Sequence, residues 1–416
     1  MRLPRRAKPD PKKKPQAKKR PQPKAPVVRP STWYLLVGLV GVLVVIGLVM
    51  VLSASSVQSQ REYGSTWSYF LRQVIWTFFS VGACVVMSRI DYRRWRPLVP
   101  ILLAGSFALL LIVLIPGIGL QVNGARSWIG RGMFRMQPSE LVKLALLLFC
   151  ADLLARRHNR MDDSRLTLVP VLVVVGLTAV LMMLQPDLGS TMVMGAIVFS
   201  VLFVAGVPLG RLTGVFTVGS AGALVLALAE PYRRNRLLAF LDPSKDPGNT
   251  GYQINQSLMG VASGGLFGVG LGESRAKWGF LPNAYSDFIF AIVAEELGLL
   301  GALLVVGLFL AFGVVGIRAA LRAPDRFGTL VAAGITAWVL AQAFVNIGGV
   351  VGILPITGLT LPYVSYGGTS LLVMMTATGL LLNVASHGGE QPQPKAKSGS
   401  RPTERRSPRH PAMAGR

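Results

Sequence analysis

Histidine, cysteine and acidic residues are the scarce chemistry of this 416-residue chain, which carries 3 His, 2 Cys and 18 Asp plus Glu against 43 Lys plus Arg. Cys84 and Cys150 fall inside apolar runs, which excludes a disulfide framework on an outer face and leaves both as small apolar filler. His158, His387 and His410 all sit in or beside basic segments. If those segments share one side of a membrane, chemistry on the other side has no histidine base and no histidine metal ligand. It must then run on carboxylates, hydroxyls, amides and basic side chains.

Apolar residues, by contrast, make up 51% of the chain. They gather in stretches near the roughly 20 residues needed to cross a bilayer, at 33–55, 68–88, 97–117, 139–156, 166–185, 188–206, 211–229, 288–317, 327–350 and 367–386. The expected fold class is an all-α polytopic membrane protein. It is a bundle of about ten transmembrane helices with a long, partly structured extracytoplasmic loop between helices seven and eight, at 230–286. The first stretch follows a long polar tail and lacks a small-residue cleavage site, so it reads as a retained helix and not a signal peptide. Span eight, taken as one helix from Asp287 to Arg318, is about 48 Å long, so its first two turns are expected above the hydrocarbon.

Charge orients the bundle. Residues 1–31 hold twelve Lys and Arg, and RRWR at 93–96, the loop at 156–165, the loop at 318–326 and residues 387–416 are also basic. Alternating spans put all of these on the cytoplasmic side, with both termini. The tails at 1–31 and 387–416 cannot bury a core and read as disordered, held by anionic lipid head groups or an acidic partner, and not by nucleic acid. The span domain is then 32–386.

On the outer side, Arg126, Arg131, Arg135, Arg233, Arg234, Arg236, Lys245, Arg275 and Lys277 form a basic excess where the topology rule disfavours one. The N-termini of spans four, six, eight and ten face the same layer and form a ready site for a phosphate-bearing ligand. Glu140 and Lys143, three apart in span four, are obvious partners in a cavity. Asp187 in QPDLGS serves either as a helix cap or as a cavity acid. Asp152, Glu295 and Glu296 are acids at or within spans whose partners the sequence does not name. Asp287, in LPNAYSDFIFAIVAEELG at 281–298, stands where a water-exposed segment turns into a membrane helix, so it can meet both a lipid-anchored substrate and water. The glycines at 264, 265, 268, 270 and 272 mimic a dinucleotide fingerprint without its strand, and close packing and turns account for them better.

GARSWI (124–129), QPSELVKLA (137–145), QPDLGS (185–190), AFLDP (239–243), GYQINQSL (251–258), SGGLFGVGLGES (263–274), LPNAYSDFIFAIVAEELG and LPITGLTLPYVSYGGTS (354–370) together resemble the SEDS family (shape, elongation, division and sporulation), in order from span one through span ten. The likeness is nearer the division branch than the elongation branch. It implies a peptidoglycan glycosyltransferase that polymerises lipid II into β-1,4 glycan strands outside the cytoplasmic membrane at the septum, releasing undecaprenyl diphosphate. It implies Asp287 as general base on the acceptor 4-hydroxyl, Glu140, Lys143 and Asp187 as supporting cavity charges, and Arg236 as a diphosphate contact. Lys277, Arg126, Gln137, Gln253, Gln256, Ser365, Tyr366 and Ser370 complete the candidate substrate contacts. Many relatives have histidine two residues before the catalytic aspartate, where Tyr285 stands here. Expected partners are lipid II, the growing strand, a class B penicillin-binding transpeptidase and other division proteins. The chemistry accommodates a divalent cation, Mg or Mn, on the diphosphate, although no metal signature specifies one. A lipid II flippase and a non-catalytic division scaffold are the competing readings.

Overall fold

A computed structural model describes residues 29–122, 125–132, 134–229, 231–246 and 248–388. The basic tails lie outside the described residues except for short inner stretches, as do the side chains of Arg233 and Lys245.

Every expected span is helical. The outer arrangement begins with α1 (Ser31–Tyr63), α2 (Ser68–Arg89) and α3 (Val99–Ile112), followed by strands β1 (Gly119–Val122), β2 (Ala125–Arg131) and β3 (Phe134–Met136). Next come α4 (Pro138–Arg156), α5 (Leu168–Met183), α6 (Leu188–Ala205) and α7 (Leu209–Ala229). The chain then forms α8 (Pro231–Leu241), α9 (Thr250–Ser263), α10 (Ile289–Leu321), α11 (Arg326–Val350) and α12 (Gly368–His387). Among the described residues seven helices are long and apolar enough to cross a membrane, and two shorter apolar ones accompany them. The protein is an integral membrane protein. The apolar windows of α12 and α11 are 78% and 61% buried, against 22% for α2, which places the first two at the centre and α2 at the lipid-facing rim.

Two features depart from the sequence expectation. The loop before α4 is not irregular: β1, β2 and β3 form an antiparallel sheet in that order, so the helical bundle carries a small β cover. Span eight is not one straight helix. Gly298, at φ 69° and ψ −168°, breaks α10 after Leu297, in a backbone region essentially reserved for glycine. The glycine-rich segment after α9 fills the gap. The N–H of Val269 donates to the Glu295 carbonyl at 2.9 Å and that of Gly270 to Glu296 at 3.1 Å. Leu299 and Leu300 donate in return to Gly265 and Leu266 at 2.9 and 3.2 Å. Backbone groups released by the break are therefore satisfied by neighbouring protein, as a low-dielectric setting requires. The glycines at 268 and 298 permit this approach, since a Cβ on either would overlap the other's backbone.

The long segment between α7 and α10 packs back onto the bundle. Ser257 Oγ on α9 donates to the Val350 carbonyl at 2.8 Å, and Arg236 on α8 reaches the Ile356 carbonyl at 3.4 Å. At the opposite end, the Tyr92 hydroxyl donates to Asp325 at 2.7 Å, and Arg93 pairs with the same carboxylate at 2.6 Å. Asp152 gains the partners that its sequence did not name, Arg96 at 2.7 Å and Arg156 at 2.8 Å.

Gly298→Ala is expected to lower stability by more than about 2 kcal/mol, because strain and overlap add. Thermal unfolding of the purified protein in detergent measures it, and a neutral substitution would contradict the tight crossing.

Candidate active site

Asp287 lies in a turn, 283–288, that delivers the chain into α10. Asn283 takes a left-handed φ of 56°, a conformation asparagine tolerates, and its carbonyl accepts the Ser286 N–H at 3.1 Å. The turn is stitched to the segment before α12. Ser365 Oγ donates to the Ser286 carbonyl at 2.6 Å while accepting the Leu361 N–H at 2.8 Å, and the Tyr366 N–H donates to the Tyr285 carbonyl at 3.0 Å. From α11, Asn346 Nδ2 donates to the Asp287 carbonyl at 2.8 Å and to the Leu359 carbonyl at 2.6 Å. These bonds fix the main chain and leave the carboxylate to a small cleft that it shares with Asn346, Gly349, Ile356, Thr357 and Gly358. A Cβ on Gly358 would sit 3.7 Å from Asp287 Oδ2, so glycine keeps that wall open.

Burial pushes the Asp287 carboxyl up to about 6, against the opposing pull of the Arg236 guanidinium and a hydrogen bond from Ser286. Desolvation outweighs the positive charge nearby. The acid is thus still largely ionised at neutral pH yet more basic than an exposed aspartate. Tyr285 stacks among Tyr69 and Tyr366, with ring centroids 4.8 and 5.5 Å away, and burial raises its phenol above the usual value. At neutral pH it remains a neutral phenol, in keeping with the loss of any histidine role at this position.

A second group of charges lies at the start of α4. Lys143, fully buried, pairs with Glu140 at 2.8 Å, contacts Gln342 Oε1 at 3.3 Å and sits 5.2 Å above the Trp338 ring. Gln342 Nε2 in turn donates to the Thr360 carbonyl at 3.0 Å, which connects this pair to the segment facing Asp287. Asp187 both caps α6, accepting from Ser190 N–H at 3.0 Å, and accepts from Gln137 and Ser139 at 3.0 and 2.9 Å. Its structural and cavity roles coincide, since one carboxylate ties the entrances of α4 and α6 together. Ser370 lies 3.2 Å from Thr360 Oγ1 on the same outer layer.

Not every candidate gathers at this cleft. Lys277 is buried with its ammonium engaged by the Gly272 carbonyl and by Glu296 at 3.5 Å, so it is turned inward and away from a ligand. Glu296 also accepts from Ser53 at 2.6 Å, and Glu295 accepts from Ser274 and the Arg275 N–H at 2.5 and 2.9 Å. Both acids thus lock the glycine segment to α10, and Glu296 ties it to α1. Arg126 lies on β2 and donates to the Leu114 carbonyl at 3.4 Å. Gln253 and Gln256 are half-buried on α9. Among the described residues no three His, Cys, Asp or Glu side chains gather as a metal site.

The family described as cell cycle protein, comprising FtsW, RodA and SpoVE, matches residues 34–389. The chain belongs to this family. It is 43% identical over 359 residues to the stage V sporulation protein E of Bacillus subtilis (strain 168), covering 86% of this chain and 98% of that one. It is 42% identical over 363 residues to the probable peptidoglycan glycosyltransferase FtsW of Mycobacterium tuberculosis (strain ATCC 25618 / H37Rv), covering 87% of this chain and 69% of that protein. Among solved structures, a chain from a peptidoglycan synthase complex that coordinates polymerization and crosslinking superposes with a TM-score of 0.70 at 32% identity, covering 86% of this chain and 98% of that one. The crystal structure of the rod shape determining protein RodA of Thermus thermophilus gives 0.63 at 29% identity, covering 86% and 97%.

Placed on this FtsW/RodA/SpoVE frame, the polar stripe of α11 is the part of the site that motif reading missed. Trp338, Gln342 and Asn346 recur every four residues within an otherwise apolar helix, which puts them on one face. That spacing was the available signal.

The raised Asp287 value has two consequences. If ionised Asp287 is needed, turnover rises with pH through about 6 and levels above it, as a pH–rate profile would report. An acid whose folded value is raised costs stability once pH exceeds its unfolded value, so Asp287→Asn should stabilise the fold at pH 7. The gain is at most about 3 kcal/mol, smaller to the extent that the cleft admits water, and disappears below about pH 4 in thermal unfolding. Lys143→Met, which strands a buried carboxylate, should cost about 3–5 kcal/mol, most of it recovered in the Glu140→Gln/Lys143→Met double variant; denaturation of the three variants checks this.

Proposed function

We propose that Asp287 is the general base of a glycosyl transfer that joins lipid II units into β-1,4 glycan strands during septal wall synthesis. The reaction class, peptidoglycan glycosyl transfer, follows from family membership and from relatives that bear that activity in their names. The observation that carries the base is a carboxylate of raised basicity in a cleft at the outer start of α10, with the Arg236 charge acting on it.

In this reading Asp287 takes the proton of the GlcNAc 4-hydroxyl as that oxygen attacks C1 of the donor MurNAc. The C1–O bond to the diphosphate breaks on the opposite face, undecaprenyl diphosphate leaves with the electron pair, and the α-linked donor becomes a β-linked product. No second carboxylate is required, because the diphosphate departs as an anion that cations neutralise. Arg236 supplies fixed positive charge for it, and a divalent cation, where present, would add more on the diphosphate.

All ten long helical segments cross the membrane in this proposal, with both termini cytoplasmic and the Asp287 cleft extracytoplasmic. The similarity to a synthase that coordinates polymerization and crosslinking favours a class B penicillin-binding transpeptidase as partner. Against flipping, the buried Lys143 is held by Glu140 and Gln342 over the Trp338 ring.

Purified protein given lipid II, with and without its transpeptidase partner, should make glycan strands that Asp287→Asn reduces by about a hundredfold or more. Gel sizing of the product decides it. Equal strands from both proteins would remove Asp287 from the mechanism, and lipid movement across vesicles without polymer would establish a flippase.

A further inference from the structure

Asn346 does more than hold the turn. It is 5% exposed, and both hydrogens of its amide are spent on the Asp287 and Leu359 carbonyls. Those two bonds also fix which way the amide faces, since the reversed orientation would set its oxygen against two carbonyl oxygens. What remains is Oδ1, buried and without a hydrogen-bond partner among the described residues. A buried acceptor left unmade is costly and persists where a ligand or water completes it. Asn346 lines the same cleft as Asp287.

The ligand that fits is selected by chemistry. The Asn346 oxygen and an ionised Asp287 are both acceptors, so this cleft rejects a diphosphate, which is anionic and has no hydrogen to donate at neutral pH. It suits a group that offers two neighbouring donors. An amide oxygen cannot take a proton away near neutral pH, so of the two groups only Asp287 can act as base while Asn346 holds a donor that stays protonated. A sugar with neighbouring hydroxyls meets both conditions. Gly358 leaves the wall beside the Asp287 carboxylate without a side chain.

We infer that Asn346 Oδ1 is a positioning and specificity contact for the acceptor sugar, accepting a hydrogen bond from a hydroxyl next to the one that Asp287 deprotonates. The inference rests on Asp287 being the base. It seats the acceptor, and not the departing lipid diphosphate, in the cleft between the 283–288 turn, α11 and residues 356–359.

The test pairs enzyme variants with acceptors. Full-length protein with its transpeptidase partner is supplied with lipid II as donor and with acceptors lacking one terminal GlcNAc hydroxyl at a time, at C3 or at C6. Wild type should use the intact acceptor about tenfold or more better than one of these. In Asn346→Ala that ratio should fall to near one. A residue that only braces the turn would slow all acceptors alike and leave the ratio intact, which overturns the inference. Should Asn346→Ala make too little polymer to size, Asn346→Ser replaces it, since its shorter side chain withdraws the acceptor oxygen while keeping a hydroxyl that can donate to one of the two carbonyls. That variant should likewise bring the ratio towards one, and a ratio equal to that of wild type sinks the proposal. Asp287→Asn in the same assay separates the two ideas, since retained polymerisation there removes the base while the acceptor ratio still reports on Asn346.

Discussion

Irregular backbone at the edge of a membrane bundle persists only where each N–H and C=O finds a partner, and the candidate site is built from that constraint. The turn at 283–288 and the strand-free segment before α12 satisfy each other through Ser365, Tyr366 and the amide of Asn346. The break at Gly298 is satisfied in the same manner by the glycine segment after α9. Position of the acid is therefore a by-product of hydrogen-bond completeness. A carboxylate on an unbraced loop would sample many orientations, whereas this one is fixed from three sides.

The same economy governs buried charge. Lys143 is enclosed with Glu140, Gln342 and Trp338, and Lys277 with Glu296 and Ser53, so each ammonium has compensation close by. Such groups are weak evidence for stability in themselves, because desolvation offsets much of the attraction. Their geometric effect is larger. Gln342 carries the first cluster to Thr360, and Ser53 carries the second from α10 to α1. Both link distant helices to the segments that flank Asp287.

Asp287 differs from these acids in that no salt bridge to it is found among the described residues, while the Arg236 charge acts on it. Full ion pairing would drive its affinity for protons down and leave a poor base, while full isolation would leave it protonated. Partial burial with a cation at a distance yields a value between those limits. The neighbouring Tyr285, Tyr69 and Tyr366 add apolar area and phenols that stay neutral near physiological pH, which suits a site meant to receive sugar hydroxyls.

Hydropathy located the apolar helices, because a span must be apolar along its length whatever it packs against. The acid at 287, the Glu140–Lys143 pair and the glycine cluster were legible for similar reasons, since local spacing alone makes them unusual. The sheet at 119–136 was not, because its short strands depend on pairing between segments and carry little local pattern. Nor were the inward turn of Lys277, the break in α10 or the part played by Asn346. Each depends on segments that meet only in the folded chain, as Asn346 and Asp287 do across 59 residues. Sequence by itself determined which stretches are helical and apolar enough to cross a membrane and that an acid, Asp287, immediately precedes one of them, through the cost of exposing the wrong surface to lipid. Tertiary structure alone decided how basic that acid is and what faces it, because desolvation and hydrogen-bond satisfaction exist only once distant segments have met.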